Sequence, residues 1–132
     1  MNKTKEKLAV YAVQKALGIK KRDGKFKYVR EGREINFEWD GAGIDKNGSI
    51  VLVEVELQDP MDWHIQCHLC RIAIMIGCGE KVKKLVWVTY PSKYQKLRSI
   101  VDTWMNYFSC VCNVEFPQIE YRTPDGKALP NV

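Results

Sequence analysis

Three acidic side chains stand at positions where a short hairpin would bring them together. Glu54 and Glu56 lie one residue apart near the end of the apolar run Ile50–Leu57, and Asp40 precedes the turn that leads into that run. Because side chains alternate across a strand, Glu54 and Glu56 are expected on the same face. Asp40 on the opposite arm of the hairpin is expected to face them, with Glu38 close by.

Such a cluster of carboxylates could do chemistry on a phosphate. Neighbouring carboxylates repel and raise each other's pKa, and a divalent cation removes that cost. Oxygen ligands select hard cations, and Mg²⁺ takes one or two carboxylates, several waters and a phosphate oxygen. The residues therefore predict a Mg²⁺ or Mn²⁺ site for phosphodiester hydrolysis, with Asp40, Glu54 and Glu56 as ligands. The alternative is an ordinary solvated sheet face whose acids pair with lysines.

A second group of candidate ligands lies in the stretch HIQCHLC, residues 64–70. His64 and His68 are four residues apart on one helix, a spacing that can chelate zinc. A structural zinc site usually takes its ligands from two elements, so Cys110-Val-Cys112 would have to come near. The alternative is that the helix packs in the core while His64 or His68 faces the acidic hairpin and contacts phosphate or water.

Charge is unevenly distributed along the chain. Residues 1–33 contain eleven Lys or Arg against three acidic residues, a net charge of +8, although the whole chain carries only +5. A basic end beside an acidic centre suits phosphate binding, and a solubilising surface is the alternative. The side chains expected to contact nucleic acid are Lys20, Lys21, Arg22, Arg71, His64 and His68.

Aromatic side chains could also contribute to nucleic-acid binding by stacking on bases. Most of the tryptophans and tyrosines stand at positions that predict core packing. Trp63 is the exception, because it lies near a helix start beside the predicted carboxylate site.

The sequence excludes some classes of protein. No window approaches the ~18 apolar residues of a membrane span, and the basic start has helically spaced apolar residues without a cleavage site. The five cysteines are an odd number, which argues against a secreted disulfide framework. The prediction is a protein of the cytoplasm that does not associate with membranes.

Hydrophobic periodicity predicts the elements that must position these residues. They are a helix over 3–17, strands over 25–30, 34–44 and 50–57, a helix capped by Asp59 with Pro60 at its first position and ending near Gly77, a strand over 83–91, a helix from 91 to 108, and an edge strand within 112–121. The order α-β-β-β-α-β-α-β predicts an α/β (α+β) fold with one mixed β-sheet flanked by helices. A single domain over 1–132 is expected.

The stretch FEWDGAGIDKNGSIVLVEVEL resembles the core hairpin of the PD-(D/E)XK nuclease superfamily, which has the restriction-endonuclease-like fold. In that pattern an acid precedes the hairpin and an apolar strand ends in Glu-x-Lys. Asp40 matches the first acid and Glu54 the second, 14 residues later. The resemblance implies a Mg²⁺-dependent nuclease that acts on nucleic acid, DNA more than RNA. It also implies a homodimer, because cutting both strands needs two sites.

One position departs from the family pattern, since Glu56 stands where the motif lysine is usual. Some members carry Glu there as a further ligand or a general base, and others have lost catalysis. The resemblance further implies a catalytic Gln66 on the following helix and a contribution from Glu6 on the preceding one. Two other functions stay open: a non-catalytic nucleic-acid-binding or assembly module of the same fold, and a zinc-binding interaction protein.

Overall fold

The computed structural model describes residues 3–130, so residues 1, 2, 131 and 132 of the predicted domain lie outside the described part. The described residues form three helices and seven strands. In chain order these are α1 (Lys3–Leu17), β1 (Lys20–Arg22), β2 (Lys25–Arg30), β3 (Arg33–Glu38), β4 (Gly41–Ile44), β5 (Ile50–Val55), α2 (Asp62–Gly77), β6 (Val82–Val88), α3 (Pro91–Cys112) and β7 (Gln118–Arg122). None of the helices is long and apolar enough to cross a bilayer.

The main sheet is mixed and has the strand order β1-β4-β5-β6-β7. β1, β4 and β5 pair antiparallel, whereas β5, β6 and β7 pair parallel through the helical crossovers α2 and α3. β2 and β3 form a separate two-stranded hairpin. The predicted mixed sheet with flanking helices is confirmed, but five strands rather than three precede α2.

Two apolar layers cover the main sheet. On one face α1 packs Val10 and Val13 against the β5 side chains Val51 and Val53. On the other face Leu52 joins the core built with α2 and α3. The predicted alternation along β5 is therefore confirmed, and it assigns Glu54 to the α2 side of the sheet.

The predicted single strand over 34–44 is wrong. β3 ends at Glu38 and β4 begins at Gly41, and the two belong to different sheets. The break follows from a backbone hydrogen bond in which Trp39 N–H donates to the Gly24 carbonyl at 2.8 Å and closes the base of the hairpin. Gly24 is required there, because a Cβ atom would lie 2.0 Å from the Trp39 carbonyl oxygen. Asp40 therefore lies at the junction of the two sheets.

The predicted start of the second helix is also wrong. Asp59 does not cap α2, which begins at Asp62 with Met61 as its N-cap. Asp59 instead forms a tertiary ion pair with α3, its Oδ2 atom lying 2.7 Å from Lys96 Nζ. The helix ends at Gly77 as expected, and β7 lies at the sheet edge as expected. However, α3 continues to Cys112 rather than ending at 108, and β7 begins only at Gln118, after Pro117.

Candidate active site

Asp40 and Glu54 lie side by side at one end of the sheet, where β4 begins and β5 ends. The Asp40 N–H donates to Glu54 Oε1 at 3.1 Å, and the Val55 N–H donates to Asp40 Oδ2 at 2.7 Å. Each carboxylate thus accepts a backbone hydrogen bond from the other residue's strand. The antiparallel register, with Gly41 opposite Val53, fixes this arrangement.

Glu6 on α1 joins the pair from the other side of the sheet. Burial, followed by the hydrogen bond with Asp40 and the charge of Asp40, raises the pKa of Glu6 to about 7. Burial also raises the pKa of Asp40 to about 6, with the charge of Glu54 as the second cause. Glu6 and Asp40, which lie beside Glu54, therefore hold protons more tightly than isolated carboxyl groups.

His68 on α2 reaches Glu54 from above the sheet. Its Nε2 atom contacts Glu54 Oε2, and both side chains are buried, with 5% and 8% of the residue exposed. Its Nδ1 atom lies 2.7 Å from the carbonyl oxygen of His64. The ring lies between the indoles of Trp39 and Trp87, at centroid distances of 5.4 and 5.5 Å, so packing holds its orientation.

Glu56 forms a second carboxylate–histidine pair next to the first. Its Oε2 atom lies 3.5 Å from His64 Nδ1, and its backbone N–H donates to Val88 at 2.8 Å. Burial raises the pKa of Glu56, and the charges of His64 and His68 oppose that rise. His64 is exposed, so the pair presents an imidazole to solvent.

These groups line a cleft of about 490 Å³. Its walls come from α1, the ends of β4 and β5, the segment before α2 and one face of α2. The lining residues are Glu6, Asp40, Glu54, Val55, Glu56, Gln58, Asp59, Met61, Trp63, His64, Cys67, His68 and Arg71. We call this space the acidic cleft.

A second groove lies on the other side of Asp40. Lys7 and Tyr11 of α1, together with β1 and the start of β2, line a space of about 350 Å³ that has Asp40 as a shared wall. The guanidinium of Arg22 stacks on the Phe26 ring at 3.8 Å. We call this space the basic groove, after Lys7, Lys21, Arg22 and Lys25.

The structure brings most of the predicted site residues to these two spaces. Glu38 lines the basic groove rather than the acidic cleft, and Lys20 is exposed on β1 outside both linings. Gln66 is half-buried on α2 and does not line the acidic cleft, which leaves its predicted catalytic role without a contact there.

The donor set of the acidic cleft suits a hard cation. Asp40 and Glu54 supply the one or two carboxylates that Mg²⁺ takes, and water and phosphate supply the remaining ligands. Within residues 3–130, no three or more His, Cys, Asp or Glu side chains form a group placed to hold a metal ion. The cysteines that the alternative zinc site would use, Cys67 and Cys70 with Cys110 and Cys112, are exposed and form no disulfide.

Sequence patterns did not identify Lys7 and Tyr11 of the basic groove, and they gave only weak grounds for Glu6. Lys7 and Tyr11 line the basic groove, and their spacing of four residues on α1 is a signal that could have found them. Glu6 was expected from the family resemblance because it is the one acid of α1, and nothing in the spacing of α1 indicates that it reaches Asp40.

No family model matches the chain, and no curated protein or solved structure shows a significant match to it. The function is therefore argued from the geometry of the site.

Proposed function

We propose that this protein is a metal-dependent nuclease of restriction-endonuclease-like fold that hydrolyses phosphodiester bonds of nucleic acid, with DNA as the expected substrate. The observation that carries the proposal is a pair of backbone hydrogen bonds at the end of the sheet: the Asp40 N–H donates to Glu54, and the Val55 N–H donates to Asp40. It holds two carboxylates together at the wall of an open cleft, where charge repulsion alone would separate them.

The arrangement of elements supports the same proposal. A helix, α1, precedes the antiparallel strands β1, β4 and β5, and α2 then leads to the parallel strand β6. This order, with an acid before β4 and a Glu on β5, agrees with the family pattern that the sequence resembles. The β2–β3 hairpin is then an insertion between the first two strands of that core.

Asp40 and Glu54 are the residues proposed to hold Mg²⁺ or Mn²⁺. When bound, such a cation polarises a phosphoryl oxygen and lowers the pKa of a bound water. Glu6, with a pKa of about 7, can exchange a proton near neutral pH and is suited to accept one from the attacking water. Glu56 orients His64, whose exposed ring can contact the phosphate or the leaving oxygen.

His68 and Arg71 supply the positive charge that the motif lysine would bring. His68 contacts Glu54 directly, and Arg71 lines the acidic cleft. The site therefore has basic groups on α2 even though Glu56 occupies the usual lysine position. A homodimer and a location in the cytoplasm remain expectations of this proposal.

The basic groove supports nucleic acid as the substrate class. It begins at Asp40 and continues away from the acidic cleft along α1 and β1. A polynucleotide whose scissile phosphate lies at Asp40 would place its neighbouring phosphates beside Lys7, Lys21 and Arg22. These contacts would supply sequence-independent affinity that falls with salt.

The test is a cleavage assay on labelled linear and branched DNA with Mg²⁺ or Mn²⁺. Asp40→Asn and Glu54→Gln should lose activity, because each removes a proposed ligand while keeping a hydrogen-bond acceptor for the fold. Glu34→Gln is the matched control, since Glu34 is an exposed carboxylate paired with Lys27 outside both spaces. Cleavage that survives both site substitutions would refute the site assignment.

A second candidate function is a nucleic-acid-binding or assembly module without catalysis. The observation that favours it is Glu56, a buried acid in the position of the usual lysine. This module would bind DNA in a salt-sensitive way and show no cleavage on any substrate or with either cation, even in the unaltered protein.

A further inference from the structure

Trp63 is a large apolar side chain left open to solvent at the mouth of the acidic cleft. It lies in the first turn of α2 and is 56% exposed, and the neighbouring Met61 is 51% exposed. Both side chains line the cleft that contains Asp40 and Glu54. Since tryptophan is mostly buried in folded proteins, an indole exposed within a cleft indicates a binding surface.

One side of the Trp63 ring is supported by the site itself. The indole packs on the imidazole of His64 with a centroid distance of 4.7 Å and an interplanar angle of 46°. His64 in turn contacts Glu56 at 3.5 Å. Trp63 is therefore separated from the carboxylate cluster by a single side chain, and the rest of its ring surface remains open.

The other three tryptophans have structural partners. Trp39 and Trp87 are buried on either side of His68. Trp104 donates its Nε1–H to Asp62 Oδ2 at 2.8 Å and packs against Phe108. Trp63 is the one tryptophan that lines the acidic cleft.

We infer that Trp63 stacks on an unpaired base adjacent to the phosphate at Asp40 and Glu54, and that the substrate class is nucleic acid with an unpaired nucleotide at the cleavage point. The inference rests on the proposed function and deepens it. A base inside a duplex has both faces covered by its neighbours, whereas an unpaired base offers a face to an indole without any unstacking.

The two sides of Asp40 then have different tasks. The basic groove contacts the phosphates on one side of the cleavage point, and Trp63 contacts the base on the other side. Stacking on an indole accepts every base, because each has a π-face. Recognition would thus follow the structure of the nucleic acid, as in an overhang, a flap or a junction, rather than its sequence.

The experiment measures binding without divalent cation, by fluorescence anisotropy of labelled DNA. A blunt duplex is compared with the same duplex carrying a single-stranded overhang. Trp63→Ala should weaken binding of the overhang substrate roughly 10-fold and leave the blunt duplex unchanged. Trp63→Phe should retain most of the affinity. Tyr107→Ala is the control, since Tyr107 is an exposed aromatic outside the cleft.

A second readout is intrinsic fluorescence. Overhang DNA should quench the emission of the unaltered protein, and the quenching should disappear in Trp63→Phe. Equal affinity of Trp63→Ala and the unaltered protein for the overhang substrate would overturn the inference. Self-association that Trp63→Ala abolishes would also overturn it, because the indole would then contact a second copy of the chain.

These outcomes are separable from those of the cleavage assay. Binding is measured without a cation, so a Trp63 effect can appear even if the protein does not cleave DNA. Conversely, cleavage of overhang DNA could depend on Asp40 and Glu54 and yet be unaffected by Trp63→Ala. That result would support the proposed nuclease function and refute base stacking by Trp63.

Discussion

His68 and Glu54 form a buried contact in which both ring nitrogens of the histidine face oxygen acceptors. Nε2 meets Glu54 Oε2, and Nδ1 lies 2.7 Å from the carbonyl oxygen of His64. Burial lowers the pKa of His68, but the hydrogen bond and charge of Glu54, with the His64 carbonyl, outweigh it and leave the pKa raised. The contact with Glu54 therefore favours the protonated, cationic form of the buried imidazole.

Removing that cation should destabilise the fold. His68→Phe fills a similar volume but removes the side-chain partner of Glu54 Oε2, so that the buried carboxylate keeps only the hydrogen bond from the Asp40 N–H. We expect the free energy of unfolding to fall by about 3 kcal/mol at pH 6, measured by urea denaturation. Because the pKa of His68 is raised in the folded protein, the loss should shrink as the pH rises through that pKa.

The control for this variant is Tyr107→Phe, which changes an exposed ring outside the acidic cleft. Its effect on unfolding should stay within about 0.5 kcal/mol, because surface substitutions away from buried pairs are usually small. Equal losses in the two variants would contradict a buried ion pair at His68.

The clustered acids predict a stability that falls as pH rises. The folded-state pKa is about 7 for Glu6 and about 6 for Asp40, against ordinary values of 4.5 and 3.8. The folded protein binds more protons than the unfolded chain in this range. The contribution of these two groups to the free energy of unfolding is therefore greatest below about pH 4, and it decreases as the pH rises to about 7. Denaturation curves across this range check the sign.

Glu6→Gln should remove much of that pH dependence. The glutamine keeps the size of the side chain and cannot ionise. The free energy of unfolding of the variant at pH 8 should therefore be about 1 kcal/mol higher than that of the unaltered protein, a figure reduced for solvent screening of a half-buried group. Glu34→Gln should leave the pH dependence as it is. An unchanged slope in Glu6→Gln would contradict the proximity of Glu6 and Asp40.

A divalent cation should offset the charge repulsion between the carboxylates of the acidic cleft. Mn²⁺ added at pH 8 should raise the melting temperature of the unaltered protein, because a ligand that binds only the folded state stabilises that state. At a concentration 100 times its Kd, such a ligand increases the free energy of unfolding by about 2.7 kcal/mol. Removal of Mn²⁺ with EDTA should restore the original value. Asp40→Asn should abolish the response, and an equal shift in that variant would indicate binding elsewhere.

The base of the β2–β3 hairpin should be intolerant of a side chain. Gly24→Ala would place a Cβ atom 2.0 Å from the Trp39 carbonyl oxygen, so the backbone next to Asp40 must move. We expect loss of both stability and Mn²⁺ response. Gly77→Ala, with no atom within 4 Å of its Cβ, should be neutral or stabilising by up to about 1 kcal/mol.

The basic groove should determine the salt dependence of DNA binding. Lys21→Ala combined with Arg22→Ala should weaken binding to all sequences and lower the slope of log affinity against log salt by about two. Lys46→Ala combined with Lys127→Ala removes the same charge outside the groove. Equal slopes in the two double variants would argue against the groove as the phosphate path.

Local patterns predicted much of this molecule. Alternation along β5 identified the face of Glu54, and the predicted turn between Asp40 and Ile50 gave the hairpin that brings Asp40 to it. Helical periodicity gave α1, α2 and α3. These features depend on neighbours within a few residues, which a sequence displays directly.

The failures came from contacts between distant residues. β1 has three basic residues and no apolar alternation, and it is a strand because Lys21 pairs with Gly43. Asp59 looked like a helix cap, but its partners are Lys93 and Lys96 on α3. The break at Trp39 depends on a backbone hydrogen bond to Gly24 that no local pattern encodes.

The hairpin that leaves the main sheet at Gly24 and returns at Trp39 has a practical consequence for engineering. Its strands pair in register from Lys25–Glu38 to Arg30–Arg33, and its outermost residues, including Val29, are exposed. The base fixes Asp40, whereas the tip contacts neither the acidic cleft nor the basic groove. A fluorophore or a grafted recognition segment at Glu31–Gly32 would therefore add a reporter or a new specificity while leaving the carboxylates in place.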